Sequence, residues 1–126
     1  MTQTDTLAAA IVARAGDAPR VLVAVAGPPG AGKSTVAGRL CAALPAAAVV
    51  PMDGFHYDNA VLDARGLRAR KGAPETFDFD GLRHLLERLR RADEDVTVPL
   101  FDRKADLARA GATVVPADAR FVLVEG

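Results

Sequence analysis

Residues 21–34 run Val21-Leu22-Val23-Ala24-Val25-Ala26-Gly27-Pro28-Pro29-Gly30-Ala31-Gly32-Lys33-Ser34. The stretch from Val21 to Ala26 is a continuous apolar, β-branched run, which suits a strand of a parallel sheet buried on both faces. The rest matches G-x-x-x-x-G-K-[ST] without a mismatch. Glycines let the backbone wrap tightly enough to turn its N–H groups inward on phosphate oxygens. Residues 33–44 then read as a helix, with Val36, Ala37, Leu40, Cys41 and Leu44 on one face and Pro45 ending it. The positive N-terminal end of that helix adds to the anion site. Strand, glycine loop and helix in this order are the setting the motif requires, and a glycine turn without ligand is the alternative. Gly27, Pro28, Pro29, Gly30, Ala31, Gly32, Lys33 and Ser34 therefore form the candidate phosphate loop. Lys33 is expected to reach the β- and γ-phosphates of a nucleotide, Ser34 to coordinate Mg²⁺, and Thr35 to touch the α-phosphate.

Outward from the loop, strand and helix patterns alternate. Before it, Leu7, Ala10, Ile11 and Arg14 lie at helical spacing, and residues 16–19 form a breaker cluster. After it, residues 47–50 read as a second strand closing at Pro51. Val61, Leu62 and Leu67 suit a short helix broken at Gly66, beside a basic cluster of Arg65, Arg68, Arg70 and Lys71. Asp78 or Asp80 can cap the next helix, which carries Leu82, Leu85, Leu86 and Leu89 at core spacing. Residues 96–101 read as a third strand, residues 113–115 as a short extra strand, and residues 121–124 as a last apolar strand before Glu125 and Gly126. Such alternation means an α/β fold with a mostly parallel sheet.

Composition narrows the function. The chain has 126 residues, half of them hydrophobic and a quarter charged, which suits one globular domain over residues 1–126. Sixteen basic residues balance sixteen acidic ones, which argues against a general nucleic-acid or membrane-surface binder. A single cysteine, Cys41, excludes an internal disulfide and a multi-cysteine zinc site, and fits a reducing compartment. No apolar run approaches the roughly 18 residues of a membrane helix. The N-terminus lacks the positive charge of a signal peptide and carries Asp5. The expectation is a cytoplasmic protein acting on a small molecule.

Acidic residues at strand ends are the candidates for chemistry. Asp53 follows the second strand directly, where the ligand crevice of an open α/β sheet lies. It could accept a proton from an attacking hydroxyl or hold Mg²⁺ through water; a helix cap or turn former is the alternative. Glu125 ends the last apolar strand and could stand beside Mg²⁺, or be a solvated glutamate. Asp102 and Arg103 follow the third strand and either touch substrate or pair with each other. His56 could orient a substrate hydroxyl or be an exposed loop histidine. His84, beside Leu85, reads as a surface residue.

Four segments together resemble the uridine kinase, phosphoribulokinase and bacterial pantothenate kinase group of P-loop kinases. They are the loop from Gly27 to Ser34, Asp53-Gly-Phe-His56, Arg70-Lys-Gly-Ala-Pro-Glu-Thr-Phe-Asp78, and Val122-Leu-Val-Glu-Gly126. Met52 to Asp78 is similar to the pantothenate kinase pattern, and Val115-Pro-Ala-Asp118 to Gly126 looks more like uridine kinase. The resemblance implies a three-layer P-loop NTPase fold. It implies an ATP- and Mg²⁺-dependent kinase that phosphorylates a hydroxyl of a nucleoside, sugar or pantothenate-like compound. Lys33 and Asp53 would then be catalytic, and Ser34 and Glu125 would serve the metal. Asp53 would meet the acceptor hydroxyl, Asp78 would face the substrate, and Arg70 and Lys71 would border that pocket; His56 and Asp102 join them as substrate-facing candidates from the strand-end reading. The Tyr and His that pantothenate kinases present after the third strand are not evident in Leu100-Phe-Asp-Arg103, which weakens pantothenate itself. Members of the group continue well past the Glu-Gly into a lid bearing arginines. On that basis the chain is expected to be the N-terminal portion of such a kinase, its sheet cut after Glu125. The rival expectations are a nucleotide-binding regulator or NTPase, and an inactive fragment that dimerises through an uncovered face.

Overall fold

The computed structural model describes residues 1–28 and 30–126. Its centre is strand β5 (Phe121–Glu125), in which Phe121, Val122 and Leu123 are fully buried. β5 lies between β1 (Val21–Val25) and β2 (Ala47–Pro51), parallel to both. Successive side chains of a strand point to opposite faces. Phe121 and Leu123 accordingly pack with Ala8, Leu40 and Leu44, whereas Val122 packs with Val50, Leu85, Leu89 and Val98. The first cluster is covered by α1 (Gln3–Ala15) and α2 (Lys33–Ala43). The second is covered by α4 (Phe79–Arg91) and by a hairpin of β3 (Val96–Asp102) and β4 (Leu107–Val115). The result is the three-layer α/β fold with a parallel sheet.

Local chemistry explains where the helices start. Thr2 and Asp5 form a reciprocal capping box on α1. Asp78, not Asp80, caps α4 by accepting from the Gly81 N–H at 2.9 Å. Leu82, Leu85 and Leu89 then fall on one buried stripe, and Arg88, Arg90 and Arg91 meet the negative end of the helix. At the N-terminal edge of the sheet, Arg20 donates to the carbonyls of Leu89, Pro116 and Ala119 at 2.7–2.8 Å. That fork ties α4 to the approach of β5. Among the described residues no helix is long and apolar enough to cross a membrane.

Two expectations are corrected. β1 is only half-buried, because it is an edge strand and not an interior one. The third strand does not join the parallel sheet. β3 pairs antiparallel with β4, which runs over nine residues where the sequence suggested three at its end. The segment Leu107-Ala-Arg-Ala-Gly-Ala112 is mostly small and exposed, so it carries no alternating apolar signal.

The hairpin rests on a short 3-10 turn, Met52–Phe55, that follows β2. Its register shifts between Val98 and Leu100, at Pro99, which has no N–H to give to the ladder. A side chain on Gly54 would come within 2.5 Å of the Pro99 carbonyl oxygen. Gly54→Ala must therefore push the hairpin away from the turn. It is expected to destabilise the fold by about 1–3 kcal/mol, the usual range for overpacking. A fall in the urea midpoint with unchanged slope checks this; an unchanged midpoint contradicts the close contact.

Candidate functional site

Sheet register gathers the site. Val25, Glu125 and Pro51 stand in one row across β1, β5 and β2. The loop after β1, the turn after β2 and the end of β5 thus emerge at one edge, the carboxyl ends of the strands, where open α/β sheets bind ligands.

In the loop, Gly30 and Gly32 take φ values of 79° and 80°, a left-handed conformation that side-chain-bearing residues rarely adopt. Gly32 is the residue before α2, and it supplies no side-chain cap; no acidic residue sits in the first turn. The helix therefore begins without a side-chain cap and with no acidic residue of its own in the first turn, which leaves its N-terminal N–H groups open to an anion. Lys33 and Ser34 open α2, with Thr35 in the same turn. The Lys33 Nζ donates to the Gly27 carbonyl at 2.8 Å, so its ammonium lies across the loop. Pro29 is outside the described residues. The features that are described fit a polyphosphate: backbone donors, a helix N-terminus and one ammonium.

The Ser34 hydroxyl donates to Glu125 Oε1 at 3.3 Å. Two hard oxygen donors, from α2 and from the end of β5, therefore stand together. Mg²⁺ suits such a pair, because it binds through one or two protein oxygens and takes the rest from phosphate and water. Ser34, Asp53, Phe101, Arg103 and Glu125 line one cleft of about 310 Å³. A second depression, of about 410 Å³, lies between the start of α1 and the end of α2; its charged lining is only Asp5 and Arg39, and no strand end reaches it.

Asp53 sits in the first turn of Met52–Phe55, half-exposed to the cleft. Its carbonyl accepts from the His56 N–H at 3.3 Å and lies 2.7 Å from His56 Nδ1. A carbonyl oxygen only accepts, so Nδ1 carries the proton in this contact. The imidazole also packs, tilted, against Phe77, with centroids 4.1 Å apart, and against Phe101, at 4.8 Å. His56 is thus a half-buried strut of the Asp53 turn, not an exposed loop residue.

Other residues named from the sequence have structural partners. Arg70 pairs with Glu75 at 2.6 Å. The Lys71 Nζ directs its donors at Asn59 Oδ1, the Asp106 carbonyl and Asp106 Oδ1, all within 2.9 Å. Lys71 thereby pins the segment before α4 to the hairpin tip. Asp78 caps α4. Asp102 accepts from the Ala105 N–H at 3.0 Å and pairs with Arg109 at 2.8 Å, not with Arg103. Arg103 points instead to the cleft, 3.9 Å from Asp53 Oδ2. The hairpin register places Leu107 opposite Asp102 and Arg109 opposite Leu100, so Asp102 and Arg109 meet as diagonal cross-strand neighbours. His84 lies on the exposed face of α4 near Glu87.

These contacts also predict how acid acts on the hairpin tip. The Lys71 hydrogen bond holds the Asp106 carboxyl below its ordinary value, and the Ala105 N–H and then Arg109 do the same for Asp102. A carboxyl whose pKa is lower in the folded state stabilises it above the unfolded pKa, near 4. That contribution disappears as pH falls through the lower, folded value. Hydrogen-exchange protection of the Ala105 amide is expected to fall below about pH 4, while the β5 amides stay protected. Equal loss across both segments would contradict a local tie.

No family model matches the chain. Among curated proteins it is 43% identical over 114 residues to the uncharacterized protein YggC of Escherichia coli K12, covering 85% of this chain and 46% of the relative. It is 32% identical over 112 residues to the pantothenate kinase of Coxiella burnetii, covering 83% of this chain and 35% of that enzyme. A crystal structure of a candidate fructose transport system kinase from Silicibacter sp. TM1040 superimposes with a TM-score of 0.93 at 47% identity, over 100% of this chain and 64% of that one.

The chain has the P-loop kinase fold and resembles the N-terminal part of such kinases.

The chain spans between about a third and a half of the length of the curated relatives it matches. It also shares its fold with a candidate uridine kinase from Bacillus stearothermophilus, at a TM-score of 0.72 and 23% identity, over 98% of this chain and 68% of that one.

Proposed function

We propose that the chain carries the nucleotide-phosphate and acceptor sites of an ATP-dependent kinase acting on a hydroxyl of a small molecule, a nucleoside, sugar or pantothenate-like compound. One observation supports this above the rest. Ser34, Asp53 and Glu125 come from three separate segments and line a single cleft beside the phosphate loop. A loop alone suits any nucleotide-binding protein; an acid facing it across a cleft suits transfer to an acceptor.

Each residue then has a task. The backbone of residues 27–34 and the Lys33 ammonium hold the phosphates, and Ser34 and Glu125 hold Mg²⁺. Bound Mg²⁺-ATP supplies the transferable phosphoryl group and the cation that offsets its charge. Lys33 leaves the Gly27 carbonyl for a phosphate oxygen, exchanging a neutral acceptor for a charged one. Asp53 accepts a hydrogen bond from the acceptor hydroxyl, orients it, and takes its proton. His56 and Phe101 hold the turn that carries Asp53. Leu100, Phe101, Val49 and Pro51 form the apolar wall that limits water. Positioning and charge neutralisation supply most of the rate in this chemistry.

The test is transfer of label from γ-labelled ATP to a panel of nucleosides, sugars and pantothenate. Label in an acceptor phosphate ester, with GTP a poor donor, is the expected result. Label appearing only as inorganic phosphate would point to a nucleotide hydrolase instead.

A further inference from the structure

Of the eleven glycines, six hold a positive φ, a backbone conformation that side-chain-bearing residues rarely adopt. Gly27, Gly54, Gly81 and Gly126 have protein atoms within 4 Å of where a Cβ would stand. Gly38 has neither property: its φ is not positive, and a Cβ there would meet no atom within 4 Å. It lies in the interior of α2, where glycine is the least favourable residue after proline. Neither backbone geometry nor packing within the chain accounts for it. Gly38 does line the acceptor cleft, beside Ala37 and Val49. It stands four residues beyond Ser34, which puts both on the same side of the helix.

We infer that Gly38 selects the acceptor by size: the bare backbone of α2 at this point is a contact surface for the acceptor, and the missing side chain is what admits it. The inference rests on the kinase reading above and adds a specificity-determining residue to the same cleft. Two features assign the room to the acceptor and not to the nucleotide. The phosphate loop precedes α2, and Gly38 lies past Ser34 along the helix, away from that loop. Asp53 and the hairpin residues Leu100 and Phe101 line the same cleft as Gly38. The N–H and C=O groups of a helix interior are bonded within the helix, so Gly38 offers a ligand space and not a polar partner. Ala37, Val49, Leu100 and Phe101 likewise bring no charge and no hydrogen-bonding side chain. Discrimination on this surface is therefore by fit, and each carbon added at position 38 takes room that the acceptor would fill.

Stability and binding should move in opposite directions. Gly38→Ala is expected to raise Tm by about 2–6 °C, because alanine favours the helix and its methyl meets no protein atom. Gly38→Leu should melt no lower than the unaltered chain. Calorimetry on the whole chain, with Mg²⁺ and a non-hydrolysable ATP analogue present, would then titrate uridine, fructose and pantothenate. For whichever of these binds, Gly38→Ala should weaken binding about 3- to 10-fold and Gly38→Leu about 10- to 200-fold, the range for one or more added carbons in a fitted pocket. Affinity for the ATP analogue should not change. In turnover the loss should appear as a raised acceptor KM more than as a lowered kcat. Three results overturn the inference and leave the kinase reading standing: acceptor binding unchanged in Gly38→Leu, an equal loss of affinity for the ATP analogue, or a lower Tm in Gly38→Ala, which would make the glycine a packing requirement. Failure of the unaltered chain to bind the ATP analogue, or any of the three compounds beside it, instead removes the kinase reading, and the inference with it.

Discussion

Asp53→Asn is expected to lower phosphoryl transfer by about 10²- to 10⁴-fold, the range for losing a positioned general base. Nucleotide affinity should stay unchanged, because Asp53 faces the cleft from the turn after β2 and not from the phosphate loop. The amide is nearly the same size and still accepts a hydrogen bond, so the acceptor can still dock. It cannot take the hydroxyl proton. The defect should therefore fall mainly on kcat with a smaller change in KM. The Asp53 side chain is half-exposed and makes no short hydrogen bond among the described residues, so the variant should fold normally. Turnover equal to that of the unaltered chain would remove Asp53 from the mechanism.

Lys33→Ala should act on the other half of the site. The ammonium is the one side-chain charge that the described part of the loop presents, and it lies over the Gly27 carbonyl with no carboxylate partner among the described residues. Removing it leaves the backbone donors and the helix end but takes away a charge-assisted contact to phosphate, of order 1.5–3 kcal/mol. Nucleotide affinity is expected to fall about 10- to 100-fold. Transfer should fall further, since the same ammonium offsets charge on the moving phosphoryl group. Affinity for an acceptor analogue should not change. A variant that binds nucleotide as tightly as the unaltered chain would mean that Lys33 keeps its contact with Gly27 in the bound state.

Much of this was legible from residues 21–34, because a phosphate loop is local: the glycines at the left-handed positions and the lysine and serine opening α2 are all within one stretch of chain. Asp53 and Glu125 were legible for a related reason. Each follows an apolar strand, and strands of a parallel sheet deliver their ends to the same edge. The hairpin was not legible. Its second strand is built from small exposed residues around Gly111, whose φ of 58° no alternation rule anticipates. Missing the hairpin hid the rest. Arg103 reaches the cleft, and Asp102 is paired with Arg109, only because β3 turns back on itself. The resemblance put Arg70 and Lys71 at the substrate, yet both have carboxylate partners. Ion pairs between segments distant in sequence leave no trace in local composition. His56 was visible as a candidate, but its place between Phe77 and Phe101 depends on three segments meeting.

The most direct measurement is the thermal unfolding of the chain with and without Mg²⁺-ATP. Ligand at a hundredfold over its Kd adds about 2.7 kcal/mol to the folded state. For a domain of this size that should raise Tm by about 5–15 °C, with a smaller rise for Mg²⁺-GTP and little for Lys33→Ala at the same concentration. No rise with Mg²⁺-ATP, or the same rise in the Lys33→Ala variant, would contradict the assignment of the loop as the nucleotide site on which the kinase reading stands.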